Sequence, residues 1–345
     1  MATIRNTLLA ALAVPALALA QSSNIDLFSF VMQDAQLIAG ANVTSAKNSP
    51  FGQYALSQIP MGEKYLQGFE TETGINPLSD VTEVLAAWNG APNANGHWVI
   101  AAHGNFIQSI PAIEVNVLKN GGTITRLPGV DIIEVAQPGM NSPAANVCIG
   151  LFTDGFTDLI GDCTSVHAAI QFGAATSGPG SSLAITAQQL RTQKDVWFAS
   201  VVPVSEFSGL LPSSATGSGS PLSGVLKSKL LLAIHQISGG VKFPTAAEGS
   251  GAQFSAEVLL DSPQDATSLL NVVNFIVGLL QMNTGSVPPA AAGFVSLLAG
   301  LETSVNGSTL NVALNVPEST LEQLFQQVSQ LAMNHAANQL PTAER

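Results

Sequence analysis

Residues 36–43 read Gln-Leu-Ile-Ala-Gly-Ala-Asn-Val, and residues 48–50, which follow closely, read Asn-Ser-Pro. The first run predicts a buried strand, because it is short, mostly apolar and followed by turn-forming residues. Ser49 and Pro50 predict the start of a helix, since serine accepts hydrogen bonds at an N-cap and proline suits the first helical turn. A strand that leads directly into a helix is therefore the local unit of this fold.

The same junction recurs twice, as Asp-Ser-Pro at residues 261–263 and as Asn-Val-Pro at residues 315–317. Two apolar stretches, residues 81–88 and 97–103, flank a turn-rich segment and are expected to pair as antiparallel strands. Asp154-Gly155 and Asn306-Gly307 are further hairpin turns. This alternation predicts an α+β fold with antiparallel or mixed sheets and helices packed on one face.

A Ser-Gly-Pro-Gly-Ser-Ser segment at residues 177–182 is the best linker candidate, and residues 213–220 form a second Ser/Gly-rich break. We place a boundary near residue 180, which predicts a first α+β unit at residues 21–180 and a second at residues 181–345. Both units share the order strand, helix, hairpin, helix. This shared order suggests an internal duplication, although no repeat is visible residue by residue.

The amino terminus has the features of a cleavable secretory signal at residues 1–20. Arg5 is the positive residue, residues 8–17 are apolar, and Ala18-Leu19-Ala20 matches a small-x-small cleavage pattern. The apolar run is too short for a membrane span and contains Pro15. We therefore expect an exported protein, periplasmic or extracellular, whose mature chain begins at Gln21.

The charge balance excludes some classes of partner. The chain has 23 acidic and 11 basic residues and a net charge of −12. Nucleic acids and anionic membrane surfaces attract clustered lysine and arginine, which this sequence does not have. We expect no nucleic-acid partner.

Residues 264–282 predict a helix that is apolar around most of its circumference. A transmembrane interpretation is rejected on length and on Asn271 and Asn274, so we expect no transmembrane segment after signal cleavage. Such a helix must be covered on most sides. We expect it to be a core element, and self-association through this apolar surface is the alternative.

The sequence offers no convincing catalytic, cofactor or metal site. The five histidines are scattered, and on a straight strand His97 and His103 would be about 20 Å apart at roughly 3.3 Å per residue. The motifs HExxH, GxSxG and Walker A do not occur. We therefore assign no catalytic, cofactor-binding or metal residues. A Ser/His/Asp site assembled from distant positions remains an alternative, with His103 as its candidate.

Asp154, Asp158 and Asp162 recur every fourth residue, which raises the question of a calcium site. EF-hand ligands come every second residue before a glycine, so this spacing does not fit. We interpret the three as a turn residue, a residue on a strand face and a helix cap.

Cys148 and Cys163 are the only cysteines and a candidate disulfide. A two-residue turn at Asp154-Gly155 would place Cys148 opposite Gly161 and diagonal to Cys163. Diagonal partners lie about 7–8 Å apart, beyond the usual Cα separation of about 4.4–6.8 Å for a bridge. The chain could bend inward near Cys163, so the pairing stays open.

Four segments of this chain are informative by comparison: Leu-Ile-Ala-Gly-Ala-Asn-Val at residues 37–43, Ser-Pro-Phe-Gly-Gln-Tyr at 49–54, Leu-Ile-Gly-Asp at 159–162 and Ser-Val-His-Ala-Ala-Ile at 165–170. They resemble segments of uncharacterised exported proteins that are abundant in acidobacteria. The resemblance covers most of residues 25–210. That family has no established activity, so the resemblance implies export and fold and transfers no functional residue.

The leading functional hypothesis is a non-enzymatic protein that binds a ligand or self-associates through apolar surface. The alternative is a periplasmic or extracellular hydrolase with a dispersed catalytic site. A pocket that holds a serine or carboxylate next to a histidine would favour the hydrolase. An exposed apolar groove without titratable groups would favour binding.

Overall fold

The fold is described from a computed structural model, which describes residues 25–58, 67, 70–71, 73–90, 96–135, 147–173, 181–203, 206, 229–245, 251–282, 295 and 297–326. The predicted signal peptide and the Ser/Gly-rich break at residues 213–220 lie outside these residues, as does most of the predicted linker.

Twelve strands form one sheet in which all the described pairs are antiparallel. They are β1 (Leu37–Asn42), β2 (Val81–Trp88), β3 (Trp98–Gly104), β4 (Thr123–Leu127), β5 (Val130–Val135), β6 (Val147–Phe152), β7 (Thr157–Asp162), β8 (Val196–Ser200), β9 (Ile234–Lys242), β10 (Ala252–Leu260), β11 (Glu302–Asn306) and β12 (Thr309–Val316).

The described α-helices are α1 (Val43–Asn48), α2 (Pro50–Ser57), α3 (Ile110–Lys119), α4 (Cys163–Gly173), α5 (Ser182–Gln193), α6 (Lys229–Leu232), α7 (Pro263–Met282) and α8 at residues 318–326. Two short 3-10 helices cover Leu27–Phe30 and Leu298–Gly300. The predicted α+β class is confirmed. So is the pairing of residues 81–88 with residues 97–103, since β2 and β3 are antiparallel neighbours.

The strand order is β11-β12-β10-β9-β8-β1-β2-β3-β7-β6-β5-β4. From the central β8–β1 pair, β1, β2 and β3 extend in one direction and β8, β9 and β10 in the other. Each series is followed along the chain by a helix, α3 or α7, and then by the strands that complete that side of the sheet. The two predicted units therefore share one continuous sheet, and the boundary near residue 180 stays a prediction.

Helices cover both faces of the sheet, which corrects the expectation of helices on one face. Ile132 packs in a cluster with residues of α4 and α5, whereas Ile133 packs against Ile113 of α3. Consecutive residues of a strand point to opposite faces. The two neighbouring isoleucines of β5 therefore serve two separate cores.

The largest core lies between the central strands and the helices α4 and α5. Its most buried aromatic residues come from the segment that precedes β1, and Phe28 stacks on Trp197 of β8 with ring centroids 5.8 Å apart. A Cβ atom at Gly40 would lie 2.4 Å from Cζ2 of Trp197, so the glycine makes room for the indole.

The expectation that α7 would be a core helix is wrong. Its only buried residues are Ala266 and Leu269, while Phe275 is 64 % exposed and Met282 is 78 % exposed. By length and composition alone, α7 is also long and apolar enough to cross a membrane, so the length objection raised from the sequence does not hold. The helix lies on the sheet mainly through its first half and leaves apolar side chains uncovered in its second half.

Candidate functional site

An apolar groove of about 570 Å³ lies on the sheet face that carries α7. Its floor includes Val196, Val241, Phe254 and Leu314, which are register partners across the four strands β8, β9, β10 and β12. Register partners in antiparallel strands point to the same face, so these side chains form one continuous apolar row.

The next row of the same face contains Phe198, Gly239, Ala256 and Val312, again as register partners. Glycine and alanine in the middle of this row leave space beside the larger side chains. Val196 is 40 % exposed and Phe198 is 38 % exposed, so the floor of the groove is open to water.

The walls of the groove are apolar as well. They come from Leu297, Leu298 and Leu301 and from Leu321 and Leu324 of α8. Charged residues are absent from the described lining, and the polar side-chain groups there are the hydroxyl of Ser255 and the indole N–H of Trp197. The described lining residues are Ala39, Val196, Trp197, Phe198, Gly240, Val241, Phe254, Ser255, Ala256, Leu297, Leu298, Leu301, Val312, Leu314, Val316, Leu321 and Leu324.

An aromatic cluster adjoins the groove and brings in residues from the first part of the chain. Phe51 of α2 packs with its ring centroid 5.8 Å from that of Phe243 and 6.1 Å from that of Phe325. Phe51 and Phe243 belong to the same apolar cluster as Val241 and Leu321, which line the groove. The helix that Ser49 and Pro50 begin thus packs beside this site.

A second concavity, the polar pocket, has a volume of about 470 Å³ and lies where β1 and β3 end and β2 and β7 begin. It is lined by Asn42, Thr44, Ser45, Thr82, Glu83, His103, Gly104 and Phe156. His103, the candidate from the sequence, therefore does lie in a pocket with a carboxylate.

The hydrogen bonds of the polar pocket do not form a serine-hydrolase relay. Nε2 of His103 lies 2.7 Å from the carbonyl oxygen of Ile25, and a carbonyl only accepts, so Nε2 carries a proton. Nδ1 of His103 is 3.8 Å from Oε2 of Glu83. The hydroxyl of Ser45 donates to Oδ1 of Asp195 at 2.6 Å, so it is bonded to a carboxylate and not to the imidazole.

A second group of neighbouring polar side chains consists of His97, Asp162 and Ser165. The order in which these side chains are hydrogen-bonded does not suit a catalytic relay. Oδ1 of Asp162 is 3.1 Å from Nδ1 of His97, and the hydroxyl of Ser165 donates to Oδ2 of Asp162 at 2.6 Å. In a relay the imidazole stands between the hydroxyl and the carboxylate, whereas here the carboxylate stands in the middle.

Asp162 serves as the cap of α4, because the backbone N–H of Ser165 donates to its Oδ1 at 3.0 Å. Partial burial acts to raise the pKa of Asp162. The hydrogen bonds from Ser165, from the Trp98 N–H and from His97 outweigh that effect and hold the pKa below its usual value.

Asp154 and Asp158, which precede Asp162 at intervals of four residues, have different roles. Asp154 accepts a hydrogen bond from the Phe156 N–H in the turn between β6 and β7. Asp158 is 9 % exposed, and no side chain among the described residues pairs with its carboxyl group. Burial, followed by the nearby charge of Asp154, raises the pKa of Asp158 to about 8 against the opposing effect of the Phe152 N–H. Within the described ranges, no three His, Cys, Asp or Glu residues are grouped so that they could hold a metal ion.

A disulfide joins Cys148 to Cys163, with the two Cα atoms 4.7 Å apart. Cys148 is opposite Gly161, as the two-residue turn predicted. Cys163 is the first residue of α4, so the chain has already left the strand there. This bend shortens the distance between the Cα atoms of the two diagonal cysteines. The disulfide then connects β6 to α4 covalently.

Known proteins offer little guidance for this chain. No protein family matches its sequence, and no curated protein matches it. Among solved structures, the chain is similar to crystal form I of TP0453, with a TM-score of 0.44 and 10 % sequence identity over 88 % of this chain and 96 % of that chain. The family suggested by the sequence resemblance stays a prediction. The chain is a globular α+β protein with a distant structural match to TP0453, and this likeness establishes neither a family nor a function.

Proposed function

We propose that this protein binds an apolar small molecule in the apolar groove, which residues 297–301 and α8 help to line. The observation that supports the proposal is a concave surface of about 570 Å³ whose described lining has no charged residue. Ligand sites are typically concave, mostly apolar and about 300–1,000 Å³ in volume. An open apolar groove whose described lining has no titratable group is typical of a binding site and not of a hydrolase site.

The composition of the lining limits the class of ligand. A polar group buried in the groove would lose its hydrogen bonds to water and find almost no side chain to replace them. A hydrocarbon segment has no hydrogen bonds to lose when it enters the groove. Its binding is favoured by about 0.8 kcal/mol for each CH₂ group that is buried. The ligand is therefore an aliphatic or aromatic hydrocarbon, or a molecule with such a segment in the groove and its polar group outside.

A fluorescence titration with N-phenyl-1-naphthylamine tests this proposal, because the emission of this uncharged apolar probe increases in apolar sites. Val196→Asp places a carboxylate on the floor of the groove, and we expect it to weaken probe binding about tenfold or more, since burial of an unpaired charge is costly. Val201→Asp is the matched control, because Val201 is also 40 % exposed and lies outside the groove lining. A wild-type protein that does not bind the probe, or equal losses in both variants, would contradict the proposal.

The hydrolase alternative has less support. The sites around His103 and His97 lack the hydrogen bond from serine to imidazole that activates a nucleophile. Ser262, which follows the Asp261 that pairs with His235, likewise donates its hydroxyl to a carboxylate, that of Asp265. Binding is therefore the function that we propose.

A second candidate function is self-association through the second half of α7. Phe275 and Met282 are seven residues apart, which places them on the same side of the helix, and both are largely exposed. Residues 266–282 contain no charged residue, so two copies could approach here in spite of the net charge of −12. The partner would be a second copy of this chain.

We also propose that the protein is exported to the periplasm or the medium, on the evidence of the amino-terminal pattern at residues 1–20. Mass spectrometry of protein recovered from outside the cytoplasm should show a chain that begins at Gln21. Recovered protein that retains Met1 would contradict cleavage.

Duplication of one α+β unit is a further part of this proposal, supported by the matching order of strands on the two sides of the β8–β1 pair. If it is correct, β1 to β3 with α3 should superpose on β8 to β10 with α7. A failure of the helices to superpose would contradict it.

A further inference from the structure

We infer that the polar pocket is a binding site for a neutral, hydroxyl-rich molecule such as a monosaccharide or a short oligosaccharide. This site is separate from the apolar groove: the two share no lining residue. The inference rests on the charges, the unused hydrogen-bonding groups and the exposed aromatic ring of the pocket.

The charged groups around the polar pocket already have ion-pair partners. Nε and Nη2 of Arg191 donate to the two carboxylate oxygens of Glu83 at 2.6 Å and 2.7 Å. Asp195, next to Ser45, is paired with Lys242 at 2.9 Å. Arg191 also pairs with Asp26 at 2.7 Å, so among the described residues around the pocket neither cation is left for an anionic ligand, and Glu83 and Asp195 already have cationic partners. This pairing favours a neutral ligand.

Several polar groups of the pocket retain hydrogen-bonding capacity. Oδ1 of Asn42 accepts from the Ser45 N–H, which leaves the amide NH₂ group of Asn42 without a partner among the described residues. The hydroxyl of Thr44 likewise makes no hydrogen bond to the described part of the chain. Each oxygen of Glu83 keeps a second lone pair, because one lone pair accepts one bond. Donors and acceptors are therefore both available to a ligand.

Phe156 adds an apolar surface to this polar site, since it lines the pocket and is 42 % exposed. A sugar ring combines hydroxyl groups at its edge with C–H groups on its faces. The hydroxyls match the free groups of Asn42, Thr44 and Glu83, and a C–H face matches the ring of Phe156. Neither a hydrocarbon nor an ion would use both features.

Saturation-transfer NMR on the mature chain tests the inference with glucose, galactose, N-acetylglucosamine and their β-linked disaccharides. We expect at least one of these sugars to bind. Phe156→Ala should weaken that binding about tenfold through loss of the aromatic surface. Thr44→Val, which removes only a hydroxyl group, should weaken it about fivefold. Phe198→Ala is the control, because Phe198 is similarly exposed at 38 % but lies in the apolar groove.

The inference is overturned if none of the sugars binds to the wild-type protein, or if Phe156→Ala and Thr44→Val bind as tightly as Phe198→Ala. Titration of the Phe156→Ala variant with N-phenyl-1-naphthylamine separates the two sites. Unchanged probe binding would show that the variant is folded and that any loss of sugar binding is local.

Discussion

Arg191 and Glu83, which are 108 positions apart in the chain, are joined by two hydrogen bonds: Nε donates to Oε1 at 2.6 Å and Nη2 to Oε2 at 2.7 Å. Nη1 of Arg191 also donates to Oδ1 of Asp26 at 2.7 Å, and the guanidinium lies 5.6 Å from the ring centroid of Phe28. One side chain of α5 therefore connects β2 with the segment that precedes β1.

We expect Arg191→Gln to lower the free energy of unfolding by about 2 kcal/mol. The change leaves the carboxylate of Glu83, whose side chain is 19 % exposed, without its partner, and an unpaired, partly buried charge is destabilising. Arg126→Gln is the control, because the side chain of Arg126 is 69 % exposed against 28 % for Arg191, and it makes only one contact with each carboxylate, at 3.2 Å to Glu114 and 3.5 Å to Asp131. It should cost less than about 0.5 kcal/mol. Equal losses in urea denaturation would contradict a special role for Arg191.

Asp158 should make the protein less stable as the pH rises. Its pKa is about 8 in the folded chain and about 3.9 in an unfolded one, so between these values the folded state holds more protons. Unfolding then releases a proton, and this group lowers stability by up to about 1.4 kcal/mol per pH unit between about pH 4 and pH 8.

Asp158→Asn should remove this trend and raise stability most at pH 8. Asp154→Asn removes only the neighbouring charge, so it should lower the pKa of Asp158 and reduce the slope at the alkaline end. Denaturation curves collected at several pH values measure both effects. A slope that persists in Asp158→Asn would assign the pH dependence to another group.

The disulfide between Cys148 and Cys163 should contribute about 3 kcal/mol to stability. It closes a loop with a sequence separation of 15, and a loop of this length gives about that value in the chain-entropy description. We expect the double variant Cys148→Ala, Cys163→Ala to show this loss. Dithiothreitol should destabilise the wild-type protein by a similar amount and leave the double variant unchanged; a loss on reduction in both would point to another cause.

Substitutions at different positions of α7 should lower the free energy of unfolding by very different amounts. Leu269 is 8 % exposed, so Leu269→Ala should lower stability by about 2–5 kcal/mol through the cavity that it leaves. Phe275→Ala should cost less than about 1 kcal/mol at low protein concentration, because the ring is 64 % exposed.

If α7 mediates self-association, the melting temperature of the wild-type protein should rise with concentration, and Phe275→Ala should abolish that rise. A wild-type melting temperature that is independent of concentration, with a monomeric mass by sedimentation, would eliminate this second candidate. Leu269→Ala serves as the matched change on the same helix, since it should shift the melting temperature without altering its dependence on concentration.

Local features of the sequence were sufficient to predict several elements. Ser49 and Pro50 begin α2 as expected, and the side chain of Ser49 accepts a hydrogen bond from the Gly52 N–H. The turn at Asp154-Gly155 places Cys148 opposite Gly161. These features depend on residues close together in the chain, whose hydrogen bonds and backbone preferences act without the rest of the fold.

The sites could not be predicted in the same way. The polar pocket joins Asn42, Glu83, His103 and Phe156, each at the end of a different strand or beside one. Its residues have no periodic spacing, and no local motif marks them. His103 was singled out only as a histidine next to a glycine, and its bond to the carbonyl of Ile25 depends on a contact across 78 positions.

The sequence by itself determined the α+β class, the strand-to-helix junctions and the hairpins, because each follows from interactions between near neighbours in the chain. Only the tertiary structure decided that helices cover both faces, that Phe275 is exposed and that Val196, Val241, Phe254 and Leu314 form one apolar row. Those outcomes depend on which strands become neighbours in the sheet. That choice is made by the burial of apolar surface between distant segments, and no local pattern of residues encodes it.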